Sequence, residues 1–180
     1  MNNATRMEDS RYHEEISFLL DNPNLAKEVI NDAKLLRPNC AGVFSWIVGI
    51  DQILSDISKK EVIEHAQKEY GVELSNKKFF PCVDGPGYAG FFLIDYYLKN
   101  NVHTTSSPTQ DVIVTILEPL GCIDNHLGTA HIGICFGTNN NGDIVIFDLD
   151  ANNLKFGFRE INPYYGFREK ENVQLYEFKK

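Results

Sequence analysis

The chain has 180 residues, enough for one domain with a buried core, and its 43% apolar and 23% charged composition is ordinary for a globular protein. A formal net charge of -8, with basic pairs only at Lys59-Lys60, Lys77-Lys78 and Lys179-Lys180, argues against a nucleic-acid backbone as partner. No window approaches the roughly 18 apolar residues of a membrane span. The start, MNNATRMEDSRYHEE, lacks the basic and apolar stretches of a secretory signal, so the protein is expected to stay in the cytoplasm or to leave by a route that reads no such signal.

In chain order, Glu14 to Leu20 carries Ile16, Leu19 and Leu20 at helical spacing. Asn22-Pro23 reads as a helix start, with Leu25, Val29, Ile30, Ala33 and Leu36 following. Pro38-Asn39 marks another start, before an apolar helix holding Phe44, Ile47, Val48 and Ile50. Lys60 to Tyr70 is a further helix, stopped by Gly71. Phe79 to Gly90 is apolar and rich in Gly and Pro, and reads as a buried turn ahead of a substrate-groove loop. Phe91 to Leu98 is expected to be helical.

The period then changes. Asp111 to Leu117, Ala130 to Phe136, Ile144 to Leu149, Lys155 to Arg159 and Val173 to Phe178 read as strands, and TNNNGD is a turn between the second and third. Helices followed by strands predict an α+β fold, with N-terminal helices packed on a small, mainly antiparallel sheet, in a single domain spanning residues 1–180.

The cysteines are Cys40, Cys82, Cys122 and Cys135, without a C-x-x-C pair, so neither a zinc site nor a disulfide framework is expected, and no cofactor is implied. Cys82 and Cys135 read as small buried apolar residues. Cys40 differs. Asn39 is a good cap, which puts Cys40 in a first helical turn, where unpaired N–H groups and the helix dipole favour a thiolate. Ala41 and Gly42 leave room for a substrate backbone.

His131 lies early in a strand and shares a face with Gly133 and Cys135. If Gly137 pairs with Ile144, His131 stands opposite Asp150 with Asp148 diagonal to it; if Gly137 pairs with Gly142, Asp148 stands opposite. Both registers put both carboxylates on the histidine's face, because side-chain direction repeats every two residues. An acid there can accept the second ring N–H and stabilise the imidazolium. Asp148 is placed ahead of Asp150.

The order Cys, His, acid, with the cysteine on a helix and the others on neighbouring strands, resembles the papain-like layout. Asn39-Cys40-Ala41-Gly42-Val43 resembles the D/N-C-S-G-F/V helix start of NlpC-type and CHAP-type cell-wall peptidases and amidases. Pro108 with Asp111-Val112-Ile113-Val114 resembles their P-x-x-G-D-L-V strand, and Ala130-His131-Ile132-Gly133-Ile134 their H-V-G-I strand. Asp148 falls where the CHAP type places a Glu, and its spacing also resembles the transglutaminase-like branch. The likeness covers residues 38 to 50 and 108 to 150, about a third of the chain.

The resemblance implies attack of a Cys40 thiolate on an amide carbonyl, with peptidoglycan stem peptides as the substrate class, in an antibacterial effector or lysis enzyme. The competing expectations are a deamidase, transglutaminase-like enzyme or protease acting on a protein target, and a non-catalytic papain-like protein that binds a partner, with an inhibitor or immunity protein as a further partner class. The family's G-x-x-Y-x-x-G-G segment is missing, and no Gln precedes Cys40, so Asn39 and Tyr12 are the candidates for oxyanion support. His103, Cys122 and His126 form a weaker alternative set for metal or redox chemistry; His13 and His65 read as surface helix residues, and Trp46 as core. Tyr164, Tyr165 and Phe167 either line a cleft or pack.

Overall fold

The change of period in the sequence becomes a change of structure in the computed structural model, which describes residues 7–25, 40–70, 88–119, 127–150, 155–169 and 171–180. Helices α1 (His13–Asp21), α2 (Cys40–Ile47), α3 (Asp51–Asp56), α4 (Lys59–Tyr70) and α5 (Tyr88–Asn101) come first. Strands β1 (Val102–Thr105), β2 (Ile113–Pro119), β3 (Leu127–Thr138), β4 (Ile144–Asp150), β5 (Lys155–Ile161) and β6 (Asn172–Phe178) follow. They form one six-stranded sheet in the order β1-β6-β2-β3-β4-β5. Each of its neighbouring pairs is antiparallel. The fold is α+β. The strand β1 and the short helix α3 were not expected from the sequence. The predicted helix beyond Leu25, most of the Phe79 to Gly90 segment, Asn39, Cys82, Cys122 and His126 lie outside the described residues.

Alternation along β3 and β4 sorts side chains between two cores. Ile132, Ile134, Phe136, Phe147 and Leu149 pack with Val43, Phe44 and Ile47 of α2, Leu54 of α3 and Leu98 of α5. Cys135, Ile144 and Ile146 point the other way and pack with Val112, Val114, Ile116 and Ile161. Burial of each large side chain such as Phe44, Phe136 or Phe147 contributes about 2–3 kcal/mol. Helix α2 buries Ala41, Gly42, Val43, Phe44, Ser45 and Ile47, so it is apolar nearly all round, as a helix enclosed on most sides must be. Trp46 is only half-buried and meets Phe18 of α1 at 5.7 Å between ring centroids.

The β3–β4 hairpin sets the register on which the site depends. Ile134 pairs with Phe147 and Cys135 with Ile146, then the register slips by one residue before Thr138 pairs with Ile144. Gly137 absorbs the extra residue at φ +85°, a left-handed conformation that is strained for residues with a Cβ. Asn139 closes the turn, its Oδ1 accepting from the N–H groups of Asn141 at 2.8 Å and Asp143 at 3.0 Å.

One sequence expectation is overturned here. His65 is buried, not a surface residue: its Nε2 lies 2.8 Å from Asp95 Oδ2, and its ring meets Tyr96 edge-on. The pair bridges α4 to α5. A helical periodicity identifies the inner face only once the partner helix is known, which is why the sequence left His65 outside. His13 is exposed.

Candidate active site

Cys40 is the first residue of α2. The positive end of the helix dipole lies at a first helical turn, beside the thiol. Helix α2 lies on β3 and β4, and its buried residues fix the position of its first turn. The paired ladder between β3 and β4 stops at Ile134–Phe147, short of His131 and Ile132. There the half-buried Cys40 thiol forms hydrogen bonds with the His131 side chain and the backbone N–H of Ile132.

Neither turn pairing weighed for the hairpin is the one formed, since Thr138 and not Gly137 pairs with Ile144, but the bulge restores, along the rest of β3, the alignment of the first register. Continuing the Ile134–Phe147 pairing places Gly133 opposite Asp148 and His131 opposite Asp150. The contact nonetheless goes to the diagonal acid: His131 Nε2 hydrogen-bonds Asp148 Oδ2. Gly133 makes this reach open, since a Cβ there would stand 2.9 Å from the Phe147 carbonyl oxygen and 3.3 Å from Asp148 Cβ. Asp148 is 2% exposed. A carboxylate only accepts, so Nε2 carries hydrogen and Nδ1 is the nitrogen left for Cys40. Asp150 lies farther off, 3.9 Å from Arg159 Nη1.

One neighbour of the site, Arg159, was absent from the sequence reading, and a second, Phe167, was left there between lining a cleft and packing. Arg159 of β5 grips Asp148 with both arms of its fork, Nε donating to Oδ1 at 2.9 Å and Nη2 to Oδ2 at 2.5 Å. Phe167 lies over the Arg159 guanidinium at 4.3 Å and meets the His131 ring edge-on at 5.7 Å. Its turn is pinned by Glu171, whose Oε2 accepts from the N–H groups of Phe167 at 2.8 Å and Arg168 at 3.1 Å. Parity could have found Arg159. Asp148 pairs with Gly157, so a residue two beyond Gly157 shares its face, and a long donor there can reach back.

The electrostatics favour charge separation between thiol and imidazole. Burial pushes the Cys40 thiol up, but the hydrogen bond and charge of His131 and the Ile132 N–H outweigh it, and the net value falls below that of an ordinary thiol. Burial pulls His131 down, while its hydrogen bonds to Asp148 and Cys40 and their charges lift it to about 10. Both shifts act in the direction of thiolate beside imidazolium. Cys135, by contrast, is fully buried and is pushed up to about 11, mainly by burial. It behaves as the small apolar residue that the sequence suggested.

The remaining candidates lie elsewhere. Tyr12 sits beside Arg11, Asp111 and Glu15, with the Arg11 guanidinium 4.7 Å from its ring centroid. Asp111 donates its N–H to the carbonyl of Cys135, four residues along β3 from His131, which is about 13 Å of strand. Through these neighbours Tyr12 is tied to Asp111, and the groups that act on Cys40 and His131 do not include it. Asn39, the other candidate for oxyanion support, is outside the described residues. His103 pairs with Glu177 across β1 and β6, at 3.5 Å. Tyr164 is 80% exposed and Tyr165 half as much. Among the described residues no group of three or more His, Cys, Asp or Glu could hold a metal ion, and no helix is long and apolar enough to cross a membrane. No family model, no curated protein and no solved structure matches the chain.

Proposed function

We propose that this protein is a papain-like cysteine amidase or peptidase, with Cys40 as nucleophile, His131 as acid and base, and Asp148 as the group that orients His131. The observation that carries the reading is the chain of contacts from the Cys40 thiol through the His131 ring to the buried Asp148 carboxylate. The Cys40 thiolate adds to the amide carbon, and the charge passes to the carbonyl oxygen, toward the positive end of the α2 dipole. The His131 imidazolium gives its proton to the departing amine as the C–N bond breaks, leaving a thioester on Cys40. Neutral His131 then takes a proton from water, hydroxide adds to the thioester carbon, and Cys40 leaves as thiolate. Asp148 holds the ring in one tautomer throughout and stays ionised.

The substrate class proposed is a peptidoglycan peptide, from the resemblance to NlpC-type and CHAP-type enzymes. One observation favours a second reading, an enzyme acting on a protein amide as deamidase or transglutaminase-like catalyst: the third member is an Asp on the strand after the histidine, as in the transglutaminase-like branch. Two measurements test the proposal. Iodoacetamide at neutral pH, with the modified peptide located by mass spectrometry, should label Cys40 well ahead of Cys135; equal inertness of all cysteines overturns the enzyme reading. Purified peptidoglycan incubated with wild type and Cys40→Ala should release new muropeptides only with wild type. Unchanged muropeptides with a reactive Cys40 move the substrate to a protein.

A further inference from the structure

The guanidinium of Arg159 raises a chemical question. Its Nη2 lies 3.0 Å from His131 Nε2, and both nitrogens point at the same oxygen, Asp148 Oδ2. Nε2 must carry hydrogen to reach a carboxylate, so the two nitrogens face each other donor to donor. Such a contact is unfavourable by itself, and it worsens when the ring is a cation. It persists here because the fork is held by the other oxygen, Nε to Oδ1, and because Phe167 covers the guanidinium face.

We propose that Arg159 is a positioning residue of the same site, which locks the Asp148 carboxylate toward His131 and shares its negative charge, so that the ring is oriented without its proton being held too tightly to transfer. This rests on the hydrolase reading above and adds a regulating residue to it. A buried Asp facing His131 alone would favour the imidazolium strongly, and a proton bound that firmly is slow to reach a leaving amine. An arginine on the same carboxylate withdraws part of that stabilisation, and its own charge repels the imidazolium. The fork also fixes which carboxylate is used, because Arg159 binds Asp148 through two nitrogens and approaches Asp150 only at 3.9 Å.

The groups that face His131 come from every side. Cys40 comes from α2, Asp148 from β4 and Arg159 from β5. Phe167 stands on the turn after β5, and Ile116 pairs with His131 from β2. Asp150 stands opposite His131 in register and 3.9 Å from Arg159 Nη1, Lys155 pairs with Asp150 across β4 and β5, and Glu171 holds the turn of Phe167. Arg159 is the cation among them that touches the ring.

The test needs no substrate. The imidazole of His131 is titrated by NMR in protein with labelled histidine, its signal assigned with His131→Gln, in wild type, R159K and R159Q. The His131 value should rise by about one pH unit in R159Q and by less in R159K, whose single ammonium cannot hold both oxygens and stay at the ring. An unchanged or lower value in R159Q overturns the proposal, the lower value being what loss of a purely structural clamp would give. If R159Q does not fold, R159K decides: a rise supports the charge-sharing role, and no rise overturns it. Alkylation of Cys40 in wild type is measured alongside. An inert Cys40 would sink the hydrolase reading, whereas a reactive Cys40 with an unmoved His131 would sink only the role of Arg159.

Discussion

Replacing Asp148 by Asn keeps the shape of the side chain and removes its charge, which isolates what the acid does for His131. In the native site His131 stands at about 10 against an ordinary 6.5, with Asp148 and Cys40 as the groups that lift it and burial acting against them. Because burial opposes them, the two groups together lift His131 by more than the net rise, so even an equal share makes Asp148→Asn lower it by more than about 1.5 pH units, or about 2 kcal/mol at roughly 1.4 kcal/mol for each unit. The sign follows from the pair. Thiolate and imidazolium coexist above the lowered Cys40 value and below the His131 value. Losing Asp148 therefore shortens the window from its alkaline side. Iodoacetate reports this limb, because its carboxylate is drawn to the imidazolium and its reaction with Cys40 slows as His131 loses its proton. The alkaline limb should move down by more than about 1.5 pH units in Asp148→Asn, with circular dichroism confirming the fold. A limb that stays in place would refute the claim that Asp148 sets the proton affinity of the ring.

Two further outcomes follow from the same geometry. Gly133→Ala puts a Cβ 2.9 Å from the Phe147 carbonyl, so strands β3 and β4 must separate; urea unfolding should show a loss of about 1–3 kcal/mol, and His131 should titrate lower as Asp148 withdraws. Phe167→Ala uncovers Arg159 and one edge of His131, and should lower turnover by less than tenfold while leaving stability within about 1 kcal/mol, since Phe167 is 41% exposed. Unfolding curves and steady-state rates check both parts.

Much of this architecture was legible in the residues themselves. Period 3.6 before Leu98 and period 2 after Asp111 separate helices from strands, and DVIVTIL, HIGICF and IVIFDL place β2, β3 and β4, three of the four interior strands. The strand β1 was missed because VHTT is short, and its pairing partner lies at residues 175–178, far along the chain. His65 was misplaced for the same kind of reason, its partner Asp95 being thirty residues away on another helix. Cys40 and His131 stood out through local chemistry: a capped helix start with small neighbours, and a histidine whose strand neighbour is glycine.

What the sequence by itself determined was parity. A two-residue repeat in IVIFDLD puts Asp148 and Asp150 on the face of His131 in either register, whatever the rest of the chain does. Which acid is used was decided by the tertiary structure. Gly133 leaves the diagonal open, the bulge at Gly137 sets the register, and Arg159, brought in by β5, pulls the carboxylate of Asp148 into place. The approach of Cys40 was decided there too, because it depends on α2 packing over the point where the β3–β4 ladder ends. Local patterns fix which way a side chain points; its partner depends on contacts between segments that only packing brings together.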